Sequence, residues 1–527
     1  METYFQFKKL QQHVRQELSS PKNGCTCPEY IVGTPHHANC RVSPHHAHGT
    51  LTLPVPEDPI LVDWDGPDDP FNPANQSTAK KLVMTLLVSL IALAVTAASA
   101  IDACGVRDYS AHFQVSEVVG SLATALFLVG FAFGSLLSGP FSEMFGRNAV
   151  YISTMLLYLI FIMASGLAPN LHSHLVFRTL AGFFASTPLS CAGGTVADLW
   201  NPVEKAYAFP VYAIPAFAGP MIGQIIGSYI PETLGWRWLE WIMLISGGTV
   251  LALVLLFQPE TYGNLILHWK ASILRKETGD ERYRAPMEMK QEGLGKRLKI
   301  SVSRPFTMFY SEPIIILVSL YMTVVWIILF TFLEGYTYMF GQTYGLLRGL
   351  TSICWAGVLV GVLLVGFVVP VVYKWTKQAH ERAKPAPLAP EMRLWYAMLG
   401  GAPAVPVSLF WMGWTSRASI SIWSPLVASA LFGYGITTIF IVSYMFLIDT
   451  YATYAVSALG FLVFTRYVAA GGMTVAGGPI YRALGVPYTL TILGSVSALL
   501  ALLPYLLYIF GPKIRKRSKY AVDIDTP

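Results

Sequence analysis

The chain has 527 residues, of which 54% are hydrophobic and 13% are charged, and its formal net charge is +6. Soluble proteins are roughly a quarter charged, so a soluble globule of this size is excluded. A small net charge spread over several loops argues against a nucleic-acid partner. Six cysteines in so long a chain exclude a disulfide scaffold. These quantities predict an all-α polytopic membrane protein.

Residues 1–81 are polar and lack the apolar core of a secretory signal peptide. We predict that they form a cytosolic N-terminal tail that is mostly disordered. Cys25, Cys27, Cys40 and the neighbouring histidines His36 and His45 are metal-ligating types. Their spacing fits no regular zinc module, so we expect no metal site.

Twelve apolar stretches follow, each long enough for a helix to cross a bilayer, which needs about 20 residues. They occupy residues 82–104, 116–138, 149–168, 174–195, 206–230, 237–257, 313–334, 349–373, 394–414, 419–448, 457–482 and 488–510. The fourth, ninth and eleventh stretches are rich in Gly, Pro or polar residues. We therefore predict twelve transmembrane helices.

The spans divide into a six-helix bundle over 82–257 and a second over 313–510. Between them lies a charged loop, 258–312, in which residues 265–276 have helical periodicity, and a basic tail occupies 511–527. Most of the 36 Lys and Arg residues fall on the side that carries both termini. The positive-inside rule therefore predicts that both termini and the central loop are cytosolic.

Six plus six spans around a charged loop are typical of transporters built from two halves. The sequence contains no HExxH, GxSxG or Walker motif. We therefore expect neither an enzyme nor a pump driven by nucleotide hydrolysis, and no cofactor.

Three segments carry a family resemblance. A loop after the second span contains Gly139, Glu143, Gly146 and Arg147; the fourth span contains Arg178-Thr179-Leu180-Ala181-Gly182; and the fifth contains Gly219-Pro220-Met221-Ile222-Gly223. Together they resemble the major facilitator superfamily, and the fifth-helix motif is similar to that of its drug:proton antiporters. A finer resemblance, to the fungal twelve-span drug:H⁺ antiporters, rests on further segments in order: Val62 to Pro70, Ala197-Asp198-Leu199-Trp200, Trp236-Arg237-Trp238, Pro259-Glu260-Thr261-Tyr262, Phe332-Leu333-Glu334 and Asp449-Thr450-Tyr451.

The resemblance implies the major facilitator fold and proton-driven efflux of a small organic compound, such as a drug, a toxin or secondary metabolite, or a polyamine. It also implies alternating access, a plasma-membrane location (or else the vacuolar membrane) and function as a monomer. The expected partners are the bilayer, the solute and protons. Two alternatives stay open: a proton symporter that takes up a small nutrient, and a transporter-like receptor without flux.

Four charged residues are candidates for proton coupling: Arg178, Glu334, Asp102 and Arg466. A charge within an apolar span is costly and normally faces a partner or a cavity. By the family resemblance, Arg178 senses a carboxylate that exchanges the proton, which we expect to be Glu334 or else Asp102. The alternatives are a structural ion pair for Arg178, an interfacial position for either acid and helix anchoring for Arg466.

Gating is assigned to charges and small residues in the motifs, where charge pairs at cytosolic helix ends would break and re-form. These residues are Gly139, Glu143, Gly146, Arg147, Asp198, Gly219, Pro220, Gly223 and Asp449.

Polar and aromatic side chains could line the solute cavity through stacking and cation–π contacts. The candidates are Gln224, Tyr321, Trp326, Phe332, Tyr336 and Tyr444. Helix packing is the alternative role for each aromatic residue.

Overall fold

A computed structural model describes residues 1–19, 59–289, 294–383 and 389–521. The longer elements of the first half and the linker are α1 Glu2–Ser19, α2 Thr78–Ile101, α3 Val106–His112, α4 Glu117–Gly120, α5 Leu122–Phe145, α6 Arg147–Gly166, α7 Leu171–Ala185, α8 Thr187–Leu199, α9 Lys205–Gly227, α10 Ile230–Thr233, α11 Arg237–Phe257, α12 Gly263–Thr278 and α13 Leu294–Ser311. Those of the second half are α14 Pro313–Tyr336, α15 Arg348–Ile353, α16 Trp355–Ala383, α17 Ala402–Thr415, α18 Trp423–Tyr451, α19 Ala455–Leu500 and α20 Leu503–Arg515. Two strands, β1 Ile60–Leu61 and β2 Tyr283–Arg284, form a short parallel pair.

Short 3₁₀ and π segments complete the described helices. They are 3₁₀ turns at Pro73–Asn75, Asp102–Gly105, Pro390–Leu394 and Ala452–Tyr454, and π segments at Thr337–Gln342 and Ala397–Gly401. The 3₁₀ turn at Asp102–Gly105 joins α2 to α3 within the first span. It places Asp102 at the point where the long helix ends.

Eleven helical stretches of the described chain are long and apolar enough to cross a membrane. The last of them, Ala455–Arg515, has 61 residues, which would extend about 90 Å as a straight helix, three times the depth of a bilayer. Gly485 interrupts it with φ 72° and ψ 170°, a conformation that essentially only glycine adopts. The chain therefore turns back at Gly485, and the predicted twelve transmembrane helices are confirmed.

Each half is held together by close helix pairs. In the first half α2 packs against α9 and α5 against α7, and in the second α14 packs against α19 and α16 against α18. The motif residues Gly219 and Gly223, which flank Pro220 on α9, face α2 so closely that an added Cβ would collide with Thr96 and Ala97. Small residues at this position thus allow the two backbones to approach. The halves meet where α5 contacts α19 and α9 contacts α16.

The start of the N-terminal tail is a docked helix, so the prediction of a mostly disordered tail does not hold for residues 2–19. Leu10 and Val14 on α1 are buried against Ile266 and Leu274 of α12. The apolar stripe on α1 is narrow, and the residues that it packs against lie more than 250 positions later in the chain. Composition alone therefore does not indicate that this helix is docked. The cysteines and histidines at positions 25–48 lie outside the described residues.

Residues 59–77 and the linker complete a small cap around α1 and α12. Lys270 of α12 contacts Asp65 at 2.5 Å, and the strand pair joins Ile60 to Tyr283. Burial disfavours ionisation of Glu288, but its contacts with His268 and Arg275 outweigh that effect and lower the pKa of Glu288. The cap therefore has its own charged and apolar anchors.

Both ends of the chain lie on one face of the molecule. The amino group of Met1 donates to the Leu255 carbonyl at the end of α11. Near the other end, Ser518 donates to Glu312, which immediately precedes α14. We call this side the terminal face and the other side the opposite face. Because both ends lie on the same face, the chain crosses the membrane an even number of times.

Shortening Leu10 tests the docking of α1. Leu10 is 2% exposed, and large-to-small changes of buried leucine cost about 2–5 kcal/mol. We expect Leu10→Ala to make tryptic cleavage after Arg15 at least about tenfold faster. The matched control is Leu18→Ala on the same helix, where the side chain is 38% exposed. Equal cleavage rates in the two variants would contradict the docked position.

Candidate functional site

Arg178 of α7 lies at the centre of a buried cluster of three charges. Its Nε is 2.6 Å from Asp102 Oδ2, and its Nη1 is 3.3 Å from Glu240 Oε2 on α11. Its Nη2 donates to the Ala98 carbonyl at 3.0 Å. All three side chains are almost wholly buried. If both acids are ionised, the cluster has a net charge of −1, so one proton would make it neutral. We call these three residues the triad.

A polar path leads from the triad towards the opposite face. Ser165 donates to Glu240 Oε1 at 2.9 Å, and its Oγ lies 2.9 Å from His174 Nδ1. The second ring nitrogen of His174, Nε2, is buried without a hydrogen-bond partner among the described residues. Side chains that can both donate and accept therefore run from Glu240 to the first turns of α7.

Asp102, His174 and Glu240 also present ligand atoms within 4.8 Å of one another, the grouping of a possible metal site. Arg178 already supplies a cation to both carboxylates, at 2.6 and 3.3 Å. A metal ion there would have to compete with the guanidinium. The donor set is therefore better suited to exchanging a proton than to holding a metal.

Glu240 is a member of the triad that the sequence analysis missed. The sequence analysis singled out only Trp236, Arg237 and Trp238 at the start of this span, and Glu240 lies just beyond them. The sequence did contain a signal, because Glu240 is a carboxylate within an apolar helix, as Asp102 is. What it lacked was the spatial partner, since Arg178 lies 62 residues away.

Glu334, the carboxylate favoured from the sequence, lies in a different environment. It lines a polar cavity of about 640 Å³ on the opposite face, together with Glu117, Tyr338, Tyr481 and Arg482. The charged groups that act on it are Glu117 and Arg482. The structure therefore brings Asp102, and not Glu334, into contact with Arg178.

The centre of the molecule is an aromatic compartment between the halves. A cavity of about 20 Å³, little more than one water molecule needs, is lined by Phe217 and Thr96 of the first half and by Trp326, Phe440 and Tyr467 of the second. Arg466 of α19 adjoins it, with its guanidinium 4.2 Å from the Trp326 ring. No organic solute fits this cavity in the present conformation.

Two of the proposed cavity residues, Trp326 and Tyr444, lie at this centre. Each of the other four packs within its own half. Gln224 donates to the Ala100 carbonyl and so joins α9 to α2. Tyr321 faces a gap among helices of the second half, Phe332 packs on Phe432, and Tyr336 stacks on Trp355.

The motif charges on the terminal face pair within each half. Arg147 contacts Asp198 at 3.2 Å and Ser142 at 2.6 Å, all in the first half, near Glu143 on the last turn of α5. Gly146 has φ 91°, which turns the chain from α5 into α6, and an added Cβ would meet Glu260. In the second half Arg393 pairs with Asp449 at 2.6 Å.

Other bonds on this face cross between the halves. Arg393 donates to the Pro202 carbonyl at 2.6 Å, and Tyr396 donates to the Ala206 carbonyl at 2.5 Å. Gly139 faces Val456 at the start of α19, with no room for a Cβ. The terminal face is therefore closed by hydrogen bonds to backbone carbonyls and by close packing.

The opposite face also has contacts between the halves, made by residues that lie outside the family motifs. Arg348 at the start of α15 contacts Asp108 of α3 at 2.8 Å and donates to the Cys104 carbonyl. Gly349 packs against the Tyr229 ring. With contacts between the halves on both faces and a central cavity of only about 20 Å³, the centre is closed to a solute, while the polar cavity that Glu334 lines stays open on the opposite face. We call this conformation occluded.

Comparison with known proteins adds family evidence to this geometry. Residues 82–474 match the family described as the Major Facilitator Superfamily. The chain is similar to the MFS-type transporter kojT of Aspergillus flavus, with 46% identity over 466 residues, or 87% of this chain and 82% of that protein. It is also similar to the ascochitine biosynthesis cluster MFS transporter of Didymella fabae, with 35% identity over 88% of this chain and 90% of that one. The structure of the proton:xylose symporter XylE of E. coli has the same fold, with TM-score 0.60, 16% identity and coverage of 82% of this chain and 96% of that one.

Loss of Arg348 should open the opposite face. Hydrogen bonds from charged groups contribute about 1.5–3 kcal/mol. Arg348→Ala should therefore make the residues beneath it accessible about tenfold more often. Cys104 lies in that layer and is 7% exposed. In a chain whose other five cysteines are serine, we expect a membrane-impermeant maleimide to label Cys104 about tenfold faster in this variant. Arg417→Ala, an exposed arginine on the same face, is the control, and equal rates in both variants would contradict a role of the Arg348 contacts in closing this face.

Proposed function

The chain belongs to the major facilitator superfamily, and we propose that it is a proton-coupled secondary transporter that exports a small organic compound by alternating access. The superfamily consists of transporters, so the chain is not an enzyme. Two of its relatives are an MFS-type transporter and the transporter of a biosynthesis cluster, both in fungi. The name of the second relative, which refers to a biosynthesis cluster, supports a secondary metabolite as the exported compound. The Lys and Arg distribution supports a cytosolic terminal face, and we place the protein in the plasma membrane.

The observation that carries this proposal is the excess acid of the triad. One guanidinium faces two carboxylates where all three side chains are buried. A buried charge without a partner is costly, so the triad favours binding one proton while it is enclosed. Opening to water would lower that cost and allow the proton to leave. Exchange of the proton would thereby be tied to the conformation of the transporter.

We assign the exchanged proton to Glu240. Asp102 is closer to Arg178, at 2.6 Å against 3.3 Å for Glu240, and acts as its fixed counter-ion. Glu240 in turn accepts a hydrogen bond from Ser165, which contacts His174 on the path to the opposite face. Protons arriving from outside would follow this path, while Glu334 would line the polar cavity through which solute leaves.

The triad also suggests how protonation moves helices. Its residues come from the end of α2, the middle of α7 and the first turn of α11. Protonated Glu240 no longer needs the Arg178 guanidinium, so the contact between α7 and α11 weakens while that between α7 and α2 is kept. A change of this kind could bias the packing of α2 against its neighbours, including α9, which contacts the second half through α16.

Gradient-driven flux tests the proposal. The solute is first identified by comparing the medium of cells with and without the gene, and its flux is then measured in proteoliposomes with an imposed pH gradient. We expect Glu240→Gln to abolish the effect of the gradient, leaving exchange of solute for solute at a comparable rate. Arg178→Ala should lower both processes at least about a hundredfold, because it leaves two buried acids without a cation.

Glu334→Gln is the matched control, since it also neutralises a glutamate on the path but outside the triad. It should retain a response to the gradient. Accumulation of solute in the opposite direction would instead indicate a symporter, and absence of any flux would indicate a receptor. A full response in Glu240→Gln would show that the proton is carried elsewhere.

A further inference from the structure

We propose that Arg466 binds an acidic group of the exported compound, so that the substrate is a flat organic anion such as an aromatic carboxylate. This inference rests on the proposed function, because it names the substrate class of the same central compartment. Its basis is the chemistry of Arg466 and of the side chains around it.

Arg466 is a fully buried cation with unused hydrogen-bond donors. Its side chain is 0% exposed. One nitrogen, Nη2, donates to Tyr444 Oη at 2.7 Å. Nε and Nη1 are buried and make no hydrogen bond of good geometry with the described residues, although the Tyr467 hydroxyl lies close to the guanidinium. The described residues place no carboxylate within ion-pair distance of it. Arg178, by contrast, is also fully buried but contacts two carboxylates. A charge kept within a membrane helix without a partner calls for a ligand that supplies one.

Four aromatic rings surround the guanidinium. The distances to the ring centroids are 4.2 Å for Trp326, 5.1 Å for Tyr467, 5.2 Å for Tyr444 and 5.5 Å for Phe440. Cation–π contacts offset part of the cost of burial and fix the orientation of the group. Ring faces do not satisfy Nε–H and Nη1–H, which remain available to oxygen acceptors. A planar guanidinium with adjacent free donors matches the two oxygens of a carboxylate.

The same rings form the wall of the central compartment. Trp326, Phe440 and Tyr467 line the cavity between the halves, and Phe217 of α9 lies opposite them, 5.3 Å from Trp326 between ring centroids. In the occluded conformation this space is only about 20 Å³, so a solute can enter only after the halves separate. A flat ring could then replace the contacts that Phe217 now makes, with its acidic group directed at Arg466.

The charges of the two halves support the same substrate class. The triad of the first half has one negative charge in excess, and Arg466 gives the second half one positive charge that the described residues leave unpaired. A proton neutralises the first half, and an anionic solute would neutralise the second. Either step lowers the cost of enclosing charge in the bilayer. A polyamine or another organic cation would be repelled by Arg466, so an acidic metabolite fits better than a polyamine.

Binding of three small probes tests the inference without any gradient. Benzoate, benzamide and benzylamine share one ring and differ in charge. With the full-length protein in lipid nanodiscs, we expect radiolabelled benzoate to bind at least tenfold more tightly than benzamide, and benzylamine to bind most weakly. Arg466→Gln should abolish the preference for benzoate, and Arg466→Lys should keep part of it, because lysine retains the charge without the planar fork. Arg417→Gln, at an exposed arginine, is the control that should behave as wild type.

Thermal unfolding guards against loss of fold. Arg466→Gln removes an unpaired buried charge, so its melting temperature without ligand should equal or exceed that of wild type. Benzoate should raise the melting temperature of wild type and of Tyr444→Phe, which keeps the cation, but not that of Arg466→Gln. Equal affinity for benzoate and benzamide, tighter binding of benzylamine, or an unchanged preference in a folded Arg466→Gln protein would each overturn the inference.

The outcomes also separate this inference from the proposed function. A preference for benzoate that depends on Arg466, found together with flux that ignores the pH gradient, would refute proton coupling and leave the anion site in place. Gradient-driven flux without any preference for the anion would do the reverse.

Discussion

The ion pairs of Arg178 tie three helices of the first half to one buried point. A guanidinium in a membrane interior needs counter-charges, and these come from the end of α2 and the first turn of α11. Three helices distant in sequence are thereby fixed around one point. Because two acids face one base, the arrangement is electrically balanced only with a proton. The interaction that ties these three helices together is thus also one whose charge balance a single proton would change.

The second half also has a buried arginine, but its charge is accommodated in a different way. Arg466 is surrounded by aromatic rings, and the described residues give it no acid partner. Aromatic rings moderate the cost of burying the charge without cancelling it, which leaves room for an anionic ligand. The two halves therefore differ in their buried charge, because the first has an acid in excess and the second has a base that the described residues leave without an acid partner.

The sequence predicted the features that depend on local patterns. Twelve spans follow from apolar length, and the placement of both ends on one face follows from their even number. Glycines at the α2–α9 contact were recognisable because close helix packing selects small residues. The contacts between distant residues were not predictable. Arg178 and Glu240, for example, are 62 positions apart, and only the fold brings them together. The same limit hid the docking of α1 on α12, and it hid the contact of Asp102, the second candidate after Glu334, with Arg178.

The bonds that close the two faces differ in kind from the ion pairs within each half. The motif ion pairs Arg147–Asp198 and Arg393–Asp449 each lie within one half, so neither of them joins the two halves in this conformation. The bonds across the interface are weaker. Arg348 and Asp108 are 29% and 32% exposed, and ion pairs this open to water contribute about 1 kcal/mol or less. On the terminal face, the hydrogen bond from Arg393 to a backbone carbonyl contributes about 1.5–3 kcal/mol. Each of these bonds between the halves is therefore weaker than a buried ion pair, whose breaking costs about 3–5 kcal/mol.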